Sequence, residues 1–95
     1  MGLRIKPETL NNKSKYKKLL TNREIEFLCL VALGYKNNVI VKNLFVEKST
    51  VKKTLENIFK KLNAKDRANA VTIAFIHNLI TAEILTEIEK KYDSN

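Results

Sequence analysis

Cysteine is nearly missing from these 95 residues: Cys29 stands alone, and so does His77. A single thiol cannot close an internal disulfide, and one Cys with one His does not suggest a metal site. Long hydrophobic runs are also missing. No apolar stretch approaches the ~20 residues that a membrane span needs, and the N-terminus does not read as a signal peptide. With two glycines in the whole chain there is no Gly-rich loop, and no repeat is visible. Nucleophile–base pairs and metal-ligand spacings are absent, so neither an enzyme nor a cofactor is expected. The expected compartment is the cytoplasm.

Positive charge is what the chain does have. The formal net charge is +8, and it is uneven. Residues 1–20 carry six Lys/Arg against Glu8, and residues 21–80 carry ten against five acids. Residues 81–95 reverse the sign, with Lys90 and Lys91 against four acids. A basic body with an acidic tail points to an anionic partner, nucleic acid before acidic membrane. Eleven Asn and many Lys offer a plainer account, an AT-rich genome in which Lys is the default surface residue.

Residues 1–18 show no sustained period. Pro7, Asn11-Asn12, Ser14 and the lysine cluster predict a flexible basic arm or a solvated linker. Order begins at Leu20. Thr21-Asn22-Arg23-Glu24 is a T-x-x-E capping box, with Leu20 and Ile25 placed for a hydrophobic staple. A helix is expected from there to about Leu33, stopped by Gly34. Phe27, Leu28, Leu30, Val31 and Ala32 suffice for its core face, yet Ile25, Cys29 and Leu33 make a second apolar stripe. A helix apolar nearly all round must be covered on more than one side.

A short helix over about 37–45 buries Ile40, Val41 and Leu44. The connection Phe45-Val46-Glu47-Lys48 is too short for a strand, so the next helix follows at a tight turn. That next helix, Ser49 to Leu62, is sharply two-faced. Val51, Leu55, Ile58, Phe59 and Leu62 form an apolar stripe, opposite Ser49, Lys52, Lys53, Glu56 and Lys60, with Thr50, Thr54, Asn57 and Lys61 along the flank. Asn63 is expected to end it in left-handed conformation. Asp66 caps a fourth helix, about Arg67 to His77, which Asn78 can stop. Thr81 caps a fifth, about Ala82 to Tyr92, with Ile84, Leu85, Ile88 and Tyr92 on one side. The fold class is all-α. The fifth helix is expected to cover the extra stripe on the first, in the same chain or in a dimer mate.

With these residues in view, the chain resembles the LuxR/GerE-type helix-turn-helix domain of bacterial transcription regulators. The matching positions are Leu20, Thr21, Arg23, Glu24, Gly34, Ile40, Leu44, Thr50, Val51, Lys52, Asn57, Ile58, Lys61, Leu62 and Arg67. They span about Leu20 to Ile80. The resemblance implies a four-helix domain at 19–80, here preceded by the basic arm at 1–18 and followed by an additional amphipathic helix and tail at 81–95. It also implies that the third helix lies in the DNA major groove and that the fourth serves dimerisation. Ser49, Lys52, Lys53 and Glu56 then face bases, while Thr50, Asn57 and Lys61 lie nearer the backbone; under the DNA reading Lys60, on the polar stripe, is expected to join them on phosphates. A pair between Glu24 and Arg67 is implied too. The sequence departs from the pattern at Lys36, Val41, Glu47, Thr54 and Asn63.

The function expected is sequence-specific binding of double-stranded DNA by a nucleoid-associated transcription regulator, acting as a homodimer. Ile73, Ile76, Ile84 and Ile88 are the expected dimer or partner interface. Two alternatives stay open. One is a sigma-factor-like promoter-reading domain. The other is a helix-turn-helix scaffold that binds a protein such as RNA polymerase through its extra apolar stripe.

Overall fold

A computed structural model describes residues 19–92. The arm expected at 1–18 and the last three residues of the tail lie outside the described residues. Five helices follow in order: α1 (Asn22–Ala32), α2 (Asn37–Leu44), α3 (Lys48–Leu62), α4 (Arg67–Ile76) and α5 (Ala82–Tyr92). No strand occurs among the described residues, so the all-α expectation is met.

The helix starts follow local chemistry. At α1 the Thr21 Oγ1 accepts from the Glu24 N–H at 3.0 Å, and Glu24 Oε1 accepts from the Thr21 N–H at 2.8 Å. Two donors that the first turn leaves orphaned are thereby satisfied. Asp66 accepts from the Asn69 N–H at 2.8 Å at the start of α4, and Thr21's counterpart on α5 is Thr81, which accepts from the Ile84 N–H at 3.2 Å. Glu47 occupies the cap position of α3 with no side-chain cap bond, as expected of a poor N-cap.

The ends of α1 to α4 share one device. Left-handed residues stand at Gly34 (φ 89), Phe45 (φ 55), Asn63 (φ 55) and Asn78 (φ 56). In each case the next N–H reaches back to a carbonyl in the last turn: Tyr35 to Leu30 at 3.0 Å, Val46 to Val41 at 3.3 Å, Ala64 to Phe59 at 2.8 Å and Leu79 to Ala74 at 2.8 Å. This is the Schellman arrangement. Gly34, Asn63 and Asn78 were legible as such stops; Phe45 was not.

One core joins the helices. Phe27, Leu28, Cys29 and Leu30 of α1 are buried with Ile40 and Leu44 of α2, Val51, Leu55, Ile58 and Leu62 of α3, and Ala70 and Ala74 of α4. Leu79 and Ile80, between α4 and α5, are buried as well, which places them in the core rather than at its margin. α3 packs against α1, α2 and α4, so three elements hold it in position.

α5 packs on α1 within the same chain, as a cover for the extra stripe requires. Cys29 is completely buried, Ile25 is packed into the core edge, and Leu33 is half-buried. At the far end of α5, Lys91 Nζ and the Tyr92 hydroxyl both donate to Glu26 Oε2, the former at 3.0 Å. Arg23 completes the group, with one guanidinium nitrogen 3.2 Å from Glu26 Oε1 and another donating to the Leu44 carbonyl at 3.4 Å. Burial works against charge on Glu26, but the Tyr92, Lys91 and Arg23 donors outweigh it and hold its carboxyl below the usual range.

Candidate nucleic-acid interface

The apolar positions of α3 recur at intervals of four and three, so a 3.6-residue repeat brings them to one side. Val51, Leu55, Ile58 and Leu62 are buried, with Phe59 and Thr54 half-buried beside them. Ser49, Thr50, Lys52, Lys53, Glu56, Asn57, Lys60 and Lys61 are all exposed. The helix therefore presents a continuous polar surface backed by the domain core.

Its electrostatics are asymmetric. No acid stands in the first turn, and the last turn carries Lys60 and Lys61, where cations complement the carbonyl end of the helix dipole. Lys36, Lys42 and Lys48 are exposed as well, and Lys48 opens α3 one residue earlier than the sequence pattern indicated. Glu56 is the acid on this polar face and Glu47 caps the helix start, both exposed. The arrangement suits an extended polyanion with hydrogen-bonding groups, through point charges along a rigid rod. Among the described residues no group of His, Cys, Asp and Glu could hold a metal ion, and no helix is long and apolar enough to cross a membrane.

One implied contact is corrected. Glu24 does not pair with Arg67. Both Glu24 carboxylate oxygens lie 2.9 Å from Lys61 Nζ. Arg67 instead donates to the Tyr35 carbonyl at 2.9 Å and to Asn37 Oδ1 at 3.0 Å. The reason is positional. The first turn of α1 meets the last turn of α3, whereas the start of α4 faces the loop that leads into α2. Partial burial disfavours charge on Glu24, but the Thr21 backbone N–H and the Lys61 ammonium outweigh it and keep its carboxyl below the usual range. Lys61 thus reaches its expected side of α3 already engaged by a carboxylate.

The expected partner interface divides. Ile73 and Ile88 are half-buried against the core, whereas Ile76 is 68% exposed and Ile84 also stands open. Phe75, which sequence reasoning left out, is exposed beside Ile76. Phe45, also left out, is 93% exposed. Its place directly after Leu44 invited a reading as the last turn of α2; the left-handed stop turns it outward.

A family model described as bacterial regulatory proteins, luxR family, matches residues 18–74. Similar curated proteins include the response regulator proteins VraR of Staphylococcus aureus (strain Mu3), Staphylococcus saprophyticus and Staphylococcus epidermidis. Each is 41% identical over 71 residues, covering 75% of this chain and 34% of the relative. The chain therefore spans about a third of the length of the curated relatives it matches. No solved structure matches.

Proposed function

The chain belongs to the luxR family of bacterial regulatory proteins and is a DNA-binding transcription regulator domain rather than an enzyme; from that premise we propose that α3 reads the major groove of double-stranded DNA. The single observation that carries this is one exposed polar face on a helix whose other face is locked in the core. Lys52 and Lys53 donate to guanine O6/N7, and Glu56 accepts from cytosine N4. Ser49 stands with them at the end of α3 that enters first. Thr50, Asn57, Lys60 and Lys61 set the register on phosphates. Glu56 and Glu47 repel phosphate, so the interface discriminates rather than clamps any duplex.

A single α3 makes few contacts, and a dimer on half-sites about one helical turn apart supplies the rest. The exposed Ile76 and Ile84, with Phe75, support an interface between two copies. The apolar stripe on α1 that favoured a protein-interaction scaffold is not open, because Cys29 is wholly buried. Contact with RNA polymerase belongs to the activator form of this reading, in the cytoplasm at the nucleoid. The chain divides functionally into the arm at 1–18, the reading domain at 19–80, and α5 with its tail at 81–95.

The test is selection of duplexes from a random pool, then binding across a salt range with Lys52→Ala. Loss of Lys52 changes the selected sequence, with about 1–3 kcal/mol less discrimination at one base pair. Absence of any duplex binding at low salt refutes the reading. For the dimer, Ile76→Asp is expected to leave a monomeric mass in sedimentation where the parent chain gives twice that mass.

A further inference from the structure

Among the described residues, four helices end in a left-handed residue, and three of the four use Gly or Asn. Those residues enter that region at little cost, whereas an aromatic side chain there is a genuine outlier. Phe45 is the exception, with φ 55 and ψ 46. It gains nothing for the fold in return, since 93% of it faces solvent. A large apolar side chain held in an unfavoured conformation with no internal packing is the mark of a local cost met by something outside the chain.

The joint that holds Phe45 is firmly tied. Its own N–H and that of Val46 both donate to the Val41 carbonyl. The Leu44 carbonyl just before it accepts from the Arg23 guanidinium. The backbone beneath the ring is thus fixed before binding, so only the side chain's rotamer freedom is lost there. Lys42 and Lys48 are exposed three residues to either side of Phe45, outnumbering the exposed acid Glu47. Two residues after Phe45 comes the Glu47 cap of α3, the end that a recognition helix places first in the groove.

We propose that Phe45 is a specificity-determining residue of the DNA interface, its ring meeting the 5-methyl group of a thymine at the margin of the sequence read by α3. The inference rests on the DNA-binding reading above. The choice of group follows from chemistry. Base edges in the major groove are otherwise hydrogen-bonding donors and acceptors, and the thymine methyl is the apolar feature they display there. A protein occupant of this aromatic is disfavoured by the flanking lysines, which suit phosphate.

Phe45→Asn tests it, because Asn accepts the left-handed turn and removes the ring. The variant is expected to melt no lower than the parent chain and to bind the selected duplex about fourfold or more weakly, as for one buried methyl group lost. Its salt slope stays unchanged, since no phosphate contact is removed. Replacing thymines one at a time by deoxyuridine is expected to weaken the parent chain at one position by about fourfold and to leave Phe45→Asn indifferent there. Phe45→Ala carries the same binding expectation if the Asn variant folds poorly.

Equal binding by both variants and the parent chain overturns the assignment. So does a deoxyuridine profile that is the same with and without the ring. Reduced transcription from a template bearing the selected duplex, with duplex binding intact, overturns it in favour of a protein contact. A parent chain that binds no duplex overturns the underlying DNA reading. One weakened by Lys52→Ala but not by Phe45→Asn overturns the Phe45 assignment alone.

Discussion

Replacing Glu24 by Gln is expected to tighten duplex binding while slightly weakening the fold. In the free protein Lys61 Nζ sits 2.9 Å from both Glu24 oxygens, so on the reading proposed above Lys61 leaves that carboxylate to meet phosphate. The Lys61 side chain is 38% exposed and that of Glu24 13%. Solvent therefore screens the pair on one side, and its strength falls toward the upper part of the range for surface ion pairs, about 0.5–1 kcal/mol. Gln retains an oxygen for the Thr21 N–H but carries no charge, so nearly all of that attraction is released to the phosphate contact. Duplex affinity should rise about two- to fivefold, the equivalent of about 0.5–1 kcal/mol. Stability should fall by a similar amount in chemical denaturation. Fluorescence anisotropy of a labelled duplex between 50 and 200 mM salt, as order-of-magnitude limits, measures the change where counterion release dominates. The control is Lys61→Ala, which should flatten the salt slope by about 0.9. In the double variant, Glu24→Gln should have no effect on binding. A Glu24→Gln variant that binds no tighter than the parent chain, with Lys61→Ala still flattening the slope, refutes the exchange.

Other outcomes follow from local chemistry. Gly34→Ala is expected to cost about 1–2 kcal/mol in urea denaturation, purely through φ 89, because an added Cβ there would meet no atom within 4 Å. Stability should be level from neutral pH down to about the ordinary carboxyl value of 4.5 and fall below it, since Glu24 and Glu26 are both held under that value when folded. At the alkaline end, burial and Glu26 raise the Tyr92 hydroxyl, and the Glu26 hydrogen bond raises the Lys91 ammonium. Their contribution is present below the unfolded values of 10.0 and 10.5 and is lost as pH rises through the higher folded ones. A melting profile against pH checks both limbs. Burial, helped by the charge of Glu26, pushes the Cys29 thiol up to about 11. Thiol reagents at pH 8 should therefore modify Cys29 only as fast as the domain opens, and rapid labelling of folded protein would contradict this.

Local chemistry in the chain was enough to specify the five helices and most of their ends. Thr21-x-x-Glu24, Asp66 and Thr81 carry their capping groups within three residues of the amides they satisfy, and Gly34, Asn63 and Asn78 accept left-handed turns without help. The two faces of α3 were legible for the same reason, because a helical repeat alone separates Val51, Leu55, Ile58 and Leu62 from the lysines. The excess apolar surface of α1 likewise required a cover, and α5 had the amphipathic stripe to supply it. What sequence spacing could not reach were contacts between groups far apart in the chain. Whether Glu24 meets Arg67 or Lys61 depends on where the last turn of α3 crosses the first turn of α1, and packing decided for Lys61. That Glu26 gathers Arg23, Lys91 and Tyr92 depends on how α5 lies along α1. Phe45 shows the division most plainly. Its side chain favours burial, but the left-handed turn that ends α2 leaves the ring in water.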